Sequence, residues 1–289
     1  MDSIRRMVID SHVHFWDPTA LSYPWIGQVY ALRRPFLPAD FAALSEDRLD
    51  GIIVVEANSA AADAPAEVEF LAELATREPR IMGIVVFLDV TDHATLDATL
   101  PALARRDAVV GVRHNVQGTP RGYCLTSTFV RGVRRVAAER LTFDLCITAD
   151  QFDEALSLVE QCDGVDIVLD HCGKPAIRND AFAPWAAAIE RMASHARVTC
   201  KISGLLTEAR PDQRHADALR PYVDHVRACF GADRILYGSD WPVVTLAGGE
   251  ALWRDIMDEL TADWPAAEQE AFYSGNAARR YDLRRHASR

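Results

Sequence analysis

Short runs of β-branched and aliphatic residues recur along the whole chain, at 7–14 (MVIDSHVH), 51–58 (GIIVVEAN), 81–89 (IMGIVVFLD), 109–115 (VVGVRHN), 141–147 (LTFDLCI), 166–173 (DIVLDHCG), 198–205 (VTCKISGL) and 234–242 (RILYGSDWP). Runs this short and this continuously apolar predict strands covered on both faces, as in parallel sheets. Between them, segments 65–78, 92–106, 127–140, 151–162 and 182–195 carry apolar residues three or four positions apart, the spacing of amphipathic helices. Eight strand–helix units in about 250 residues fit a (β/α)8 TIM barrel, here one domain spanning 1–289. An open doubly wound sheet is the rival fold. Against it, no GxGxxG follows the first strand, and polar residues stand at strand C-termini along the entire sequence. No linker, low-complexity tract or further repeat marks a second domain. The long irregular connection 15–40 is expected to overhang the mouth of the barrel, since loops of that length in compact domains are often functional.

Composition adds exclusions rather than a function. The 289 residues are 49% hydrophobic and 25% charged, enough to bury a full core. The formal charge of −11 has the wrong sign for neutralising phosphates, so a nucleic-acid partner is not expected. The first residues, MDSIRRMVIDS, lack the apolar run of a signal peptide, and no stretch approaches the length of a membrane span. Six cysteines (Cys124, Cys146, Cys162, Cys172, Cys200, Cys229) show no CxxC pairing, as expected of buried free thiols in a reducing cytoplasm.

The chemistry lies in polar residues at strand ends, where barrel enzymes place their active sites. On the first strand Asp10, His12 and His14 share a parity opposite to the apolar Met7, Ile9 and Val13, which sends both histidines inward at the top. The sixth strand ends in His171 and the eighth in Asp240. Three imidazoles and a carboxylate meeting at one end of a closed barrel are the ligands of a mononuclear zinc site. An HxH pair alone would carry little weight; matching strand ends on β-units six and eight give it force. Arg113 shares inward parity with Gly111 and Val109 and suits substrate contact or a rim salt bridge. Glu56, grouped inward with Ile52 and Val54, suits a sugar hydroxyl, a metal or Arg113. His114 has the opposite parity and packs on a helix, unless the strand has already ended and it joins the substrate site. Lys201 binds a substrate oxygen or neutralises interior carboxylates. Lys174, in a loop, is expected to be solvated. Asp10 suits a supporting role as acceptor for a ligating imidazole. Trp25 and Trp241 offer flat faces to a sugar ring, Trp241 by its place beside Asp240. No GxSxG elbow is present, and Ser203 and Ser239 lie near strand ends without one, which argues against a covalent serine mechanism.

DSHVHFWD on the first strand, LDHCGKP on the sixth, CKISGL on the seventh and LYGSDWP on the eighth resemble the amidohydrolase superfamily, in its branch of sugar lactonases that includes L-fuconolactonase and L-rhamnonolactonase. The likeness spans nearly the whole chain. It implies a cytoplasmic, monomeric or homodimeric lactonase acting on a small-molecule sugar lactone. Asp240 would be the base, with His171 and Arg113 as catalytic partners. It also implies one divalent metal, zinc, on His12, His14, His171 and Asp240, although similar lactonases work without one. The bridging residue of strand four and the histidine of strand five found in binuclear relatives are absent, so a second metal is not expected. Two other readings stand beside this one: a metal-dependent decarboxylase of the same superfamily, and a non-catalytic barrel that binds a sugar acid or metal.

Overall fold

The computed structural model describes residues 6–45 and 49–283. Eight parallel strands run in sequence order, β1 (Ile9–Val13), β2 (Gly51–Val55), β3 (Ile81–Phe87), β4 (Val109–Arg113), β5 (Thr142–Leu145), β6 (Ile167–Leu169), β7 (Val198–Ile202) and β8 (Ile235–Tyr237). The sheet closes beyond the last strand: Val13 bridges Trp241, His14 N–H donates to Trp241 O at 2.7 Å, and Asp240 N–H donates to His12 O at 2.9 Å. The fold is the single-domain TIM barrel read from the sequence. This bridge joins the two ends of the sheet, and it also draws the histidines of β1 beside Asp240.

Helices α1 (Pro38–Ser45), α2 (Ala64–Arg77), α3 (His93–Leu103), α4 (Ser127–Ala138), α5 (Phe152–Gln161), α6 (Phe182–Ala193), α7 (Leu205–Glu208), α8 (Ala216–Phe230), α9 (Gly249–Thr261), α10 (Ala266–Glu270) and α11 (Asn276–Arg280) pack outside or below the sheet. Helix α4 shows why. Thr126 caps it by accepting from Phe129 N–H, and Phe129, Val130, Val133 and Val136 bury one stripe while basic residues take the other. The observed strands are shorter than the apolar runs that announce them. β6 stops at Leu169 and β8 at Tyr237 because the following residues bend into left-handed and turn geometry that no ladder can continue.

Two apolar clusters divide the core. The larger lies between strands and helices; the smaller joins Ile9, Ile53, Val55, Val85, Val110, Val168 and Leu236 with Ala277, Tyr281 and Leu283. Side chains from opposite staves meet only inside a barrel, so the second cluster is its lower interior, plugged from beneath by α11. This corrects the expected parity of β2: Ile53 and Val55 face inward, and Ile52 and Val54 face the helices. On β1 the register shifts between Asp10 and Val13, which lets Ile9 point inward below while His12 and His14 point inward above. All six cysteines are free. Among the described residues, no helix is long and apolar enough to cross a membrane.

The plug is anchored by polar bonds. Asn276 Nδ2 donates to Ala232 O and Ile235 O, both at 2.7 Å, beneath β8. Asn276→Ala leaves one buried and one part-buried carbonyl without that donor and should cost about 1–3 kcal/mol, read as a lower urea midpoint. An unchanged midpoint would show that apolar packing alone holds α11.

Candidate active site

Strand ends bring the site together, and local backbone sets each side chain. His12 Nε2 and His14 Nε2 lie 3.2 Å apart. Asp240 Oδ1 lies 3.5 Å from His14 Nε2 and 4.0 Å from the Nε2 atoms of both His12 and His171. The remaining imidazole nitrogens are held from behind. His14 Nδ1 donates to Val55 O at 2.8 Å, which leaves its Nε2 lone pair facing the cleft. His171 Nδ1 meets Ser203 Oγ at 2.9 Å. His12 Nδ1 lies 3.1 Å from Lys201 Nζ and 3.2 Å from Asp170 Oδ1.

The turn after β6 is costly. His171, Cys172, Gly173 and Lys174 have φ of 53°, 53°, 65° and 50°, in the left-handed region that L-residues enter at about 1–2 kcal/mol each. Asp240 also has positive φ, 61°. Such residues persist where surroundings over-determine them, commonly at functional sites. Gly204 belongs to this arrangement: it sits at φ +67°, and a Cβ there would meet His171 Nδ1 at 2.7 Å. The glycine of CKISGL is thus explained by the ring it must admit.

Under the imidazoles lies a buried charge layer. Lys201 Nζ donates to Asp144 Oδ2 at 2.6 Å and lies 3.0 Å from Asp170 Oδ1. Asp170 Oδ1 has no well-directed hydrogen bond, so charge rather than donor geometry holds it against Lys201 and His12. Arg113 donates through Nε to Glu56 Oε1 at 2.5 Å, through Nη2 to Glu56 O at 2.6 Å and through Nη1 to Asp170 Oδ2 at 3.4 Å. A guanidinium has five N–H donors, so these three bonds leave two, and Arg113 borders the cleft.

Burial opposes charge on every one of these groups, and the neighbours decide the outcome. For His12, burial wins and holds the imidazole well below its usual range. His171 is likewise lowered, to about 4, by burial. Asp240 goes the other way: burial would raise it, but the imidazoles of His171, His14 and His12 outweigh burial and keep the carboxyl well below the carboxylate range. Burial also opposes charge on Lys201, and Asp144 and Asp170 overcome it. Asp10 is raised to about 7 by burial, despite its bonds from Ser239 and His12.

The donor set fits a divalent cation. Zinc–nitrogen bonds of about 2.0–2.1 Å in tetrahedral geometry set ligand atoms roughly 3.3 Å apart, close to the observed 3.2 Å and 3.5 Å. His12, His14 and Asp240 form one convergent group, with His171 4.0 Å from the same carboxylate oxygen. Four carboxylates (Glu56, Asp144, Asp170, Asp240) face three cations (Lys201, Arg113, Lys174), a small excess of the sign that attracts a metal.

The cleft above, about 430 Å³, is bordered by His14, His171, Lys174, Asp240, Arg113 and Trp25 among the residues singled out from sequence for the site. The others sit elsewhere. Glu56 is fully buried behind Arg113, and its Oε2 accepts from Asn58 N–H. Lys201 lies below His12, the neutralising role of the two envisaged for it. His114 packs against Phe87, Tyr123 and Phe129, with Nε2 3.1 Å from Tyr123 Oη, and does not border the cleft. Trp241 needs correction: its ring is 1% exposed and packs among Phe15, Phe36 and Phe41. An apolar ring next to a ring cluster gains more there than at a wet mouth. Asp10 accepts backbone N–H groups of Ser239 (2.9 Å) and His12 (3.1 Å), not an imidazole proton. Lys174, expected in solvent, borders the cleft.

Asp144 and Asp170 were not expected. A charged residue within TFDL, and an aspartate directly preceding His171, were the available signals. Asn58, Asn115 and Gln117 line the cleft from loops that no periodicity describes.

A family model described as "Amidohydrolase" matches residues 9–283. The chain belongs to the amidohydrolase family. Two family relatives carry the name L-fucono-1,5-lactonase: one from Burkholderia multivorans is 35% identical, covering 95% of this chain and 96% of its own. The other, from Burkholderia ambifaria, is 31% identical over 83% of this chain and 82% of its own. A crystal structure of a Burkholderia multivorans amidohydrolase with bound zinc superposes with a TM-score of 0.87 at 33% identity, covering 96% of this chain and 99% of that one.

In this amidohydrolase, replacing Lys201 by Met would strand two buried carboxylates. Lys201→Met should destabilise by about 3–5 kcal/mol, and adding Asp144→Asn should restore part of that loss. Equal urea midpoints for wild type and Lys201→Met would mean the charge layer contributes nothing.

Proposed function

We propose that the protein hydrolyses a sugar-acid lactone, an aldono-1,4- or 1,5-lactone such as L-fuconolactone, with Asp240 as general base. The observation carrying this reading is the Asp240 carboxylate at the cleft, 3.5–4.0 Å from the Nε2 atoms of three histidines and bordered by a guanidinium with unused donors. The names of the two Burkholderia relatives support the lactone class.

A lactone is a cyclic ester, so its opening needs an activated water, a partner for the carbonyl oxygen and a proton for the departing ring oxygen. Asp240 takes a proton from water as the water oxygen bonds to the carbonyl carbon. The unused N–H groups of Arg113 meet the charge that gathers on the carbonyl oxygen. When the bond from carbon to ring oxygen breaks, Asp240 returns its proton to that oxygen, and the resulting hydroxy acid ionises. His12, His14, His171 and Asp240 are the residues that would hold a divalent metal, and the zinc bound in the related structure supports a divalent metal as such. When bound, such a metal polarises the carbonyl and lowers the pKa of water to about 7. Asp240 turns Oδ1 toward the three imidazoles, and its carboxylate carries a second oxygen besides. An alkoxide leaves more readily than an amide nitrogen, which makes the lactone the less demanding substrate for this residue set.

Five- and six-membered aldonolactones assayed with a pH indicator in weak buffer should acidify faster than their spontaneous background. Asp240→Asn should lower kcat by about 10²–10⁴ without unfolding the protein. No acceleration for any lactone would remove the assignment. Exhaustive chelation should slow the reaction and zinc should restore it; a rate indifferent to chelation would remove the metal role alone.

A further inference from the structure

His171 shares its strained turn with Lys174. Four successive left-handed residues, closed by Lys174 N–H donating to His171 O at 2.8 Å, make one turn of left-handed helix. Side chains three apart on such a turn project to the same side, and both His171 and Lys174 border the cleft. Three of the four residues carry a side chain that disfavours this geometry, so the turn places Lys174 as deliberately as it places the histidine. Lys174 Nζ donates to Gln117 Oε1 at 2.5 Å. An ammonium has three donors, which leaves two unused on a side chain that borders the cleft beside the Gln117 amide.

The cleft walls differ in character. Trp25, Ala57 and Val243 come from the connections after β1, β2 and β8; Asn115, Gln117 and Lys174 come from those after β4 and β6. Barrel order sets these groups on opposite sides. One wall is therefore mainly apolar, with Asn58 as its polar member, and the other is mainly amides and an ammonium, with Cys146 between them.

We propose that Lys174, steadied by Gln117, reads the ring hydroxyls of the substrate, which lies with its hydroxylated edge on the β4–β6 side and its least polar edge against Trp25 and Val243. This rests on the lactonase reading and adds to it the residues that read the ring hydroxyls and the orientation of the ring. Hydroxyl oxygens accept from Lys174 while the carbonyl faces Asp240 and Arg113, so recognition and bond breaking use different residues.

The test compares D-glucono-1,5-lactone, fully hydroxylated, with unsubstituted δ-valerolactone. Lys174→Met should raise KM for the hydroxylated ring about tenfold or more, the effect of losing a charged hydrogen bond, with kcat changed less than about threefold. The kcat/KM ratio between the two rings should fall by a similar factor, and Lys174→Arg should recover part of it. Equal changes on both rings would overturn the proposal. Gln117→Leu, which leaves the turn intact, should shift the same ratio in the same direction if Lys174→Met fails to fold; no shift would overturn it. A hydroxylated δ-lactam, titrated by calorimetry, keeps the two readings apart should neither lactone be opened by the wild type. Lactam binding weakened by Lys174→Met would then uphold hydroxyl recognition without lactonase activity. Equal or absent binding would overturn both.

Discussion

An ammonium buried between two carboxylates is the constraint on which the site depends. Lys201 is wholly removed from water, a position lysine tolerates only when fully paired. Asp144 and Asp170 supply that pairing, and each is tied to something else. Asp170 also touches Arg113 and His12; Asp144 also accepts from Thr142 and Tyr281. One buried cation thereby links staves four, five, six and seven to the first histidine of β1. The imidazoles above stand on a floor whose electrostatics is already settled. Most of the bonds that orient them come from below or behind, so the face toward the cleft stays available for chemistry.

Much of this was legible in the sequence because barrels obey simple periodicities. Eight apolar runs gave eight strands in order, and five helical segments appeared within a few residues of their expected bounds. His12, His14, His171 and Asp240 converge because strand C-termini of a closed barrel share one rim. What resisted reading was local. Parity failed on β2, where Glu56 enters from beyond the strand end rather than by alternation, and on β1, where a register shift rescued the histidines despite Ile9. Trp241 was misplaced because adjacency in sequence says nothing about which way a ring turns at a corner. Asp170 was hidden by its neighbour: in LDH the histidine draws attention, yet the aspartate joins Lys201, Arg113 and His12 in one network.

The left-handed turn at 171–174 illustrates a different limit. Apart from Gly173, nothing in DHCGK announces that three ordinary residues will adopt a disfavoured backbone. Tertiary surroundings impose it: Gly204 gives the His171 ring room, and Trp185 Nε1 donates to Cys172 O at 2.8 Å. Local propensity and global fold disagree here, as they often do where a protein acts rather than merely folds.

The hydroxyl of Tyr281 bonds Asp144 at 2.8 Å, across 137 positions of sequence. Through that bond, and through the Tyr281 ring 5.6 Å from Lys201 Nζ, the segment under the barrel reaches the same charge layer that orients His12. Non-local closures of this kind are slow to form, because the chain must be brought together before the contact can reward it. During synthesis, the floor beneath the histidines therefore stays unsealed until residue 281 has emerged, long after Asp144.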